Sequence, residues 1–194
     1  MIKRHSGIVV ALAALWSATA QVWASEPSSV YMRCTISPAQ YAKAMAAPPG
    51  SALAYSDWQN WFDGRKMYGS GKVDVQSLRD SGAQSLEELV KSWVGAGGLS
   101  HYDKKTGRWQ FALLLFTENY GEMIQLLAQL RSVAPYCEAE SDSFLIIYSY
   151  VWGNGDNAYI TLNNQRSEFA AEPTSVQREE SDAALKTLMD SYAH

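Results

Sequence analysis

Histidine and cysteine are scarce in this chain, and so are the short motifs that many enzymes carry. Three histidines and two cysteines occur in 194 residues. There is no H-E-x-x-H, no C-x-x-C, no G-x-S-x-G and no Gly-rich phosphate loop, so zinc-peptidase, dithiol-redox, α/β-hydrolase and nucleotide-phosphate chemistry have no sequence footing. Positive charge is also in deficit, with 16 Lys and Arg against 20 Asp and Glu. A surface of that sign suits neither nucleic-acid phosphates nor anionic lipid. No cofactor and no metal site is expected.

Long hydrophobic runs are missing after the first two dozen residues. Residues 1–7, MIKRHSG, form a short basic lead-in, and residues 8–20, IVVALAALWSATA, are apolar but too short to cross a membrane comfortably. Val22-Trp23-Ala24 then offers a signal peptidase site, so residues 1–24 read as a secretory signal peptide of bacterial style, with the mature chain starting at Ser25. No cysteine sits just after that cut to carry a lipid, and no stable membrane anchor is expected. The implied destination is the periplasm or the exterior. Lys3 and Arg4 leave with the leader, so residues 25–194 hold 14 basic against 20 acidic side chains, a net charge of −6. These 170 residues suffice for a single α+β domain with one core. Cys34 and Cys137 would meet oxidising conditions after export, which predicts a disulfide between them.

What is present between the termini alternates between strand and helix patterns. VYMRCTI, residues 30–36, alternates Val30, Met32, Cys34 and Ile36 against Tyr31, Arg33 and Thr35, the period of a strand with one buried face. Ser37-Pro38 opens a helix that Pro48-Pro49-Gly50 stops. Residues 48–84 read as an insertion. Ser85 and Glu88 make a capping box for a helix whose Leu86, Leu89, Val90, Trp93 and Val94 share a face. Residues 99–116 are a hairpin around Asp103-Lys104-Lys105-Thr106-Gly107, with a second arm apolar on both faces. Asn119 caps the next helix, whose stripe is Met123, Ile124, Leu126, Leu127, Leu130 and Val133. Residues 143–152 and 157–163 form another hairpin, and a polar stretch within 165–194 leads to a last helix near 176–192 carrying Leu185, Leu188, Met189 and Tyr192 on one side.

This order is the βαββαβ of a ferredoxin-like antiparallel sheet with an extra strand, a helical insertion after the first helix and a C-terminal helix. In that unit helices cover one sheet face only. Yet Phe144, Ile146, Tyr148, Tyr150 and Trp152 fall on one side of their strand and Leu145, Ile147 and Val151 on the other. The second face must therefore meet the insertion, the C-terminal helix or another chain, and a homodimer through the sheet face is one outcome.

Two stretches could form a partner surface. Trp58, Trp61 and Phe62 stand at i, i+3 and i+4 behind an Asp57 cap, so they share one side of a short helix. Packing inside the insertion explains that spacing, and a stacking surface that includes Tyr68 explains it too. Glu138, Glu140 and Asp142 alternate along the approach to a strand, either as a solvated turn, as a cation site or as a dock for a basic partner. His101 is the only internal histidine of the mature chain and lies in a hairpin arm beside Asp103. No convincing base-and-nucleophile constellation surrounds it, so no catalytic residue is assigned.

These features favour an exported, non-catalytic interaction protein, such as a periplasmic immunity protein that neutralises a bacterial toxin with a basic domain. A carbohydrate- or peptidoglycan-binding module using the Trp58 region is the alternative. A hydrolase centred on His101 or the acidic triplet is the third reading.

Overall fold

A computed structural model describes residues 27–64, 72–78, 81–139, 142–148 and 156–193. The expected signal peptide lies outside the described residues, as do Tyr68, Glu140, Tyr150, Val151 and Trp152. The described residues are α+β, with six strands and five α-helices. In chain order these are β1 (Ser28–Thr35), α1 (Pro38–Ala46), α2 (Trp58–Asp63), α3 (Leu86–Gly95), β2 (Leu99–Asp103), β3 (Arg108–Thr117), α4 (Tyr120–Arg131), β4 (Phe144–Tyr148), β5 (Asp156–Leu162), β6 (Ser167–Phe169) and α5 (Ser175–Tyr192). The strands form one sheet in the order β2-β3-β1-β4-β5-β6, antiparallel at every pairing.

Local chemistry explains most boundaries. Ser37 accepts from the amide of Gln40 and Pro38 occupies the first turn of α1, where a missing N–H costs nothing. Ser85 accepts from the amide of Glu88, but the Glu88 carboxylate reaches past the cap to the Gln84 amide at 2.8 Å, so only half of the expected capping box forms. Asn119 Oδ1 accepts from the amides of Gly121 and Glu122 at the start of α4. Gly107 closes the β2–β3 turn at φ 63°, the left-handed conformation that favours glycine.

Both sheet faces are buried, by different means. Val30, Met32 and Cys34 of β1, Trp109 and Phe111 of β3, and Leu145 and Ile147 of β4 meet α1 to α4 in the larger core. On the other face Tyr31, Ala112, Phe144, Ile146, Tyr148 and Tyr159 meet Leu185 and Leu188 of α5. The C-terminal helix is therefore the cover that two-sided burial requires, one of the three that the sequence allows. Two residues expected on buried stripes are exposed: Val94 on α3 and Tyr192 near the end of α5. The Tyr192 hydroxyl donates to the Gly97 carbonyl, so its ring lies along the surface with its tip engaged.

Cys34 and Cys137 form a disulfide across 103 positions, joining the central strand to the segment after α4. Among the described residues no helix is long and apolar enough to cross a membrane.

Candidate functional site

The tryptophan-rich stretch is a packing face. Trp58 is 2% exposed and Trp61 5%. Trp58 packs edge-on to Tyr55 and Phe169, while Trp61 stacks on Phe169 at 5.6 Å and 14°. The Trp58 indole N–H donates to the Ala52 carbonyl at 2.9 Å, which satisfies its one buried polar atom. Neither ring offers an open plane to a sugar or a partner.

At the centre of that cluster is a residue that sequence reasoning passed over. Arg131, in the last turn of α4, is 1% exposed at its side chain. Its guanidinium lies 4.0 Å from the Tyr55 ring centroid, 4.8 Å from Trp58 and 5.2 Å from Phe169. It donates to both Asp57 carboxylate oxygens, at 2.9 and 2.7 Å, and to the Ser167 hydroxyl and carbonyl, at 2.9 and 2.7 Å. The fork geometry of the guanidinium makes this bidentate arrangement strong. Asp57 stands at the N-cap position of α2, yet its side chain makes no capping bond because the carboxylate is turned to Arg131. One buried cation thus ties together α2, α4, β6 and the 3₁₀ turn Ala52–Ala54 with its C-cap Tyr55.

Asp142 pairs with Arg33 at 2.6 Å, Glu138 is exposed with its amide donating to the Thr35 carbonyl at 2.8 Å, and Glu140 lies outside the described residues. Among the described residues no group of three His, Cys, Asp or Glu could hold a metal ion. His101 is exposed on β2 opposite Gln110. Its neighbour Asp103 is engaged by the turn, accepting from the Lys105 amide and the Thr106 hydroxyl at 2.8 Å each. Those bonds, led by the one from Lys105, hold the Asp103 carboxyl below the usual carboxylate range.

Beneath α5 the sheet presents a layer of polar-tipped side chains. Tyr31 donates to Glu180 at 2.7 Å and accepts from Gln110 at 2.8 Å, Tyr159 donates to Gln177 at 2.9 Å, and Tyr148 shares a 2.6 Å bond with Ser181. Burial pushes the Tyr31 phenol well above its ordinary pKa, and its hydrogen bond to the Glu180 carboxylate adds to the shift. This layer positions a helix and leaves no room for a ligand.

Among the described residues a groove of about 860 Å³ lies between α3, α4, the end of β3 and the segment of Ser77 and Ser81. It exists because β2 is shorter than β3. The pairing of the two strands ends at Leu99 opposite Ala112. Upstream of Leu99 the chain reverses through Gly97, at φ 100°, and Gly98, where a Cβ would sit 3.0 Å from the Trp93 carbonyl and 3.1 Å from the Ala112 carbonyl. Only glycine allows that backbone approach. Beyond Ala112, β3 has no strand neighbour on its β2 side among the described residues.

A bulge adds to the opening. Against β1 the register passes from Val30 opposite Leu113 to Ser28 opposite Thr117, which places two extra residues in β3. Leu115 takes φ 51°, donates its amide to the Ser29 hydroxyl at 3.0 Å and turns its side chain outward to 45% exposure. A branched side chain in the left-handed region is strained by roughly 1–2 kcal/mol, a cost seen most often at functional segments. Trp93 and Leu89 form one wall, Leu126 and Gln129 the other, and Glu122 stands near the mouth with its carboxylate accepting from the Thr117 hydroxyl. Gln129 is 8% exposed and lines the groove beside Gln125.

A smaller recess of about 350 Å³ lies beside Trp61, Asn60, Tyr159 and Glu168. Phe169 also lines it, and it shares Asp57 with the Arg131 cluster. No protein-family model matches the chain, and no curated protein and no solved structure matches it either.

Proposed function

We propose that this is an exported, non-catalytic interaction protein that binds another protein through the groove between α3 and α4. The observation that carries the reading is the groove itself: a preformed concavity in which Leu89, Trp93, Leu113 and Leu126 are set among Ser77, Ser81, Glu122, Gln125 and Gln129, a mixed lining of the kind recognition sites have. An acidic chain favours a basic partner, and an immunity protein that neutralises a bacterial toxin in the periplasm is the specific form this takes. The disulfide and the sequence of residues 1–24 support the exported setting. As to architecture, we read β1 to β4 with α1 and α4 as a ferredoxin-like unit. What supports this is that β1 runs between β3 and β4 with β2 outside β3.

Co-purification from the periplasm of the native host tests the binding. The partner retained by the wild-type chain should be lost by Leu115→Asp, a change at an exposed position where aspartate tolerates the left-handed backbone better than leucine does. Retention of the same partner by Leu115→Asp, in a variant with unchanged melting temperature, would remove the groove from the account.

A further inference from the structure

We infer that α5 is a releasable strap, which lifts from the sheet as a unit and docks in the same place on a second copy of the chain. The surface concerned is the sheet face opposite α1 to α4, so this goes beyond the groove and does not depend on it. Among the described residues two buried side-chain atoms lack a hydrogen-bond partner, Arg33 Nε and Asp182 Oδ1. Asp182 belongs to α5, and Arg33 is the β1 residue that Glu180 of α5 pairs with at 3.2 Å. Unpaired buried polar atoms are rare and costly, and here both fall at one interface. Lifting the helix hydrates them.

Much of what holds α5 down is exchangeable. Gln177, Glu180 and Ser181 meet Tyr159, Tyr31 and Tyr148 tip to tip, and water replaces such bonds at little net cost. The buried apolar residues that α5 contributes are Leu185 and Leu188. The ion pair to Glu180 does not lock the helix either. Arg33 also pairs with Asp142 at 2.6 Å, and Asp142 stays behind, so the guanidinium keeps a counter-charge when α5 leaves. The disulfide closes a loop from Cys34 to Cys137 and leaves α5 outside it.

The helix also carries its own support. Thr174 and Gln177 form a capping box, and Lys186 pairs with Asp190 one turn on. Residues 170–174 can reach on the order of 17 Å when extended, and a residue before proline, here Glu172 before Pro173, is biased to that form. The bared face would present Tyr31, Phe144, Ile146, Tyr148 and Tyr159. An occupant must offer a carboxylate to Tyr31 and Arg33, a hydroxyl to Tyr148 and an amide to Tyr159, with two leucines beyond them. That pattern is α5 itself, and a second copy supplies it. Exchange in both directions closes the pair with two-fold symmetry and restores every contact in each copy.

Amide exchange of the oxidised wild-type protein tests the strap. Amides of residues 180–190 should exchange about 100-fold or more faster than the most protected amides of β1 and α4, with a weaker dependence on urea. Asp182→Ala removes one unpaired atom and should slow exchange in α5 by about tenfold, beyond the roughly threefold that helix propensity alone gives. Equal protection of α5 and β1, or no slowing beyond the propensity effect, would overturn the strap. For the second copy, two wild-type samples with different affinity tags are mixed at millimolar concentration in urea that opens α5, then diluted into buffer. They should co-purify on either resin as dimers by light scattering. Failure to co-purify would overturn the exchange. So would co-purification that persists when both copies carry Leu185→Asp and their β1 amides remain protected.

Discussion

Replacement of Arg131 should destabilise the domain far more than a charged residue in the last turn of a helix ordinarily would. The side chain is 1% exposed and makes four hydrogen bonds, two of them to the Asp57 carboxylate. Removing one member of a buried ion pair costs about 3–5 kcal/mol, because the remaining charge is left without a partner. Asp57 is 32% exposed at its side chain and can rehydrate, which places Arg131→Ala near the middle of that range, at about 4 kcal/mol. For a domain of this size that is a fall in Tm of about 8–16 °C. Arg131→Lys is the sharper test. An ammonium keeps the charge but cannot fork onto both carboxylate oxygens, reach Ser167 and lie flat on Tyr55, so a loss of about 2 kcal/mol is expected from a substitution that conserves charge. Asp57→Asn should cost about 1.5–3 kcal/mol, and a cycle with Arg131→Met should give a coupling energy of about 2 kcal/mol. Urea unfolding of the oxidised protein, followed by tryptophan fluorescence with Trp58 beside the guanidinium, measures the four single variants and the double variant of the cycle. An Arg131→Lys protein within about 0.5 kcal/mol of wild type would refute the clamp.

Three further outcomes follow from the described contacts. Burial raises the Tyr31, Tyr55 and Tyr159 phenols above their ordinary values. The native state then keeps those protons while the unfolded chain releases them near pH 10, so stability is full below that pH and falls as pH rises above it. Tyr31→Phe should make this fall shallower by about 1.4 kcal/mol per pH unit, read from unfolding curves between about pH 10 and 11, and an unchanged slope would contradict the burial. Leu185→Ala, at a fully buried position on the sheet-facing side of α5, should cost about 2–5 kcal/mol, whereas Val176→Ala, at 67% exposure, should stay within about 0.5 kcal/mol. Equal effects would mean that α5 does not seal the second face. Protein from an exporting host should have an intact mass two hydrogens below the reduced chain starting at Ser25, and Cys34→Ser with Cys137→Ser should lower stability by up to about 4.7 kcal/mol. Free thiols in unreduced protein would refute the first statement.

The sequence carried the helices and the first hairpin because their signals are local. Asn119 with an apolar stripe from Met123 onward marks α4, and Gly107 marks the β2–β3 turn, within windows that contain all the information needed. β6 was missed because three residues, Ser167 to Phe169, are too few to display an alternation. Arg131 was missed for a different reason. A basic residue in the last turn of a helix is explained by the helix dipole alone, and nothing in the local sequence shows that Asp57 and Ser167 come to meet it. Trp58 and Trp61 were legible as a shared helix face, but which side of the protein that face meets is a long-range fact. The groove depends on where β2 pairing ends and on a bulge opposite Ser29, and neither register nor bulge is written in a single segment.

The disulfide has a consequence for covalent connectivity that is separate from its effect on folding. Cys34 lies at the end of the central strand and Cys137 just after α4, so the closed loop holds the insertion, α3, the β2–β3 hairpin and α4, and therefore every wall of the groove. A protease that cuts one peptide bond anywhere between the two cysteines yields two chains that remain a single molecule, with α5 and β4 to β6 still attached through Cys137. Such a nicked protein would migrate intact on a non-reducing gel and as two fragments after reduction. The groove would keep every residue it had before the cut, so its shape would survive a single nick as long as the disulfide stayed closed.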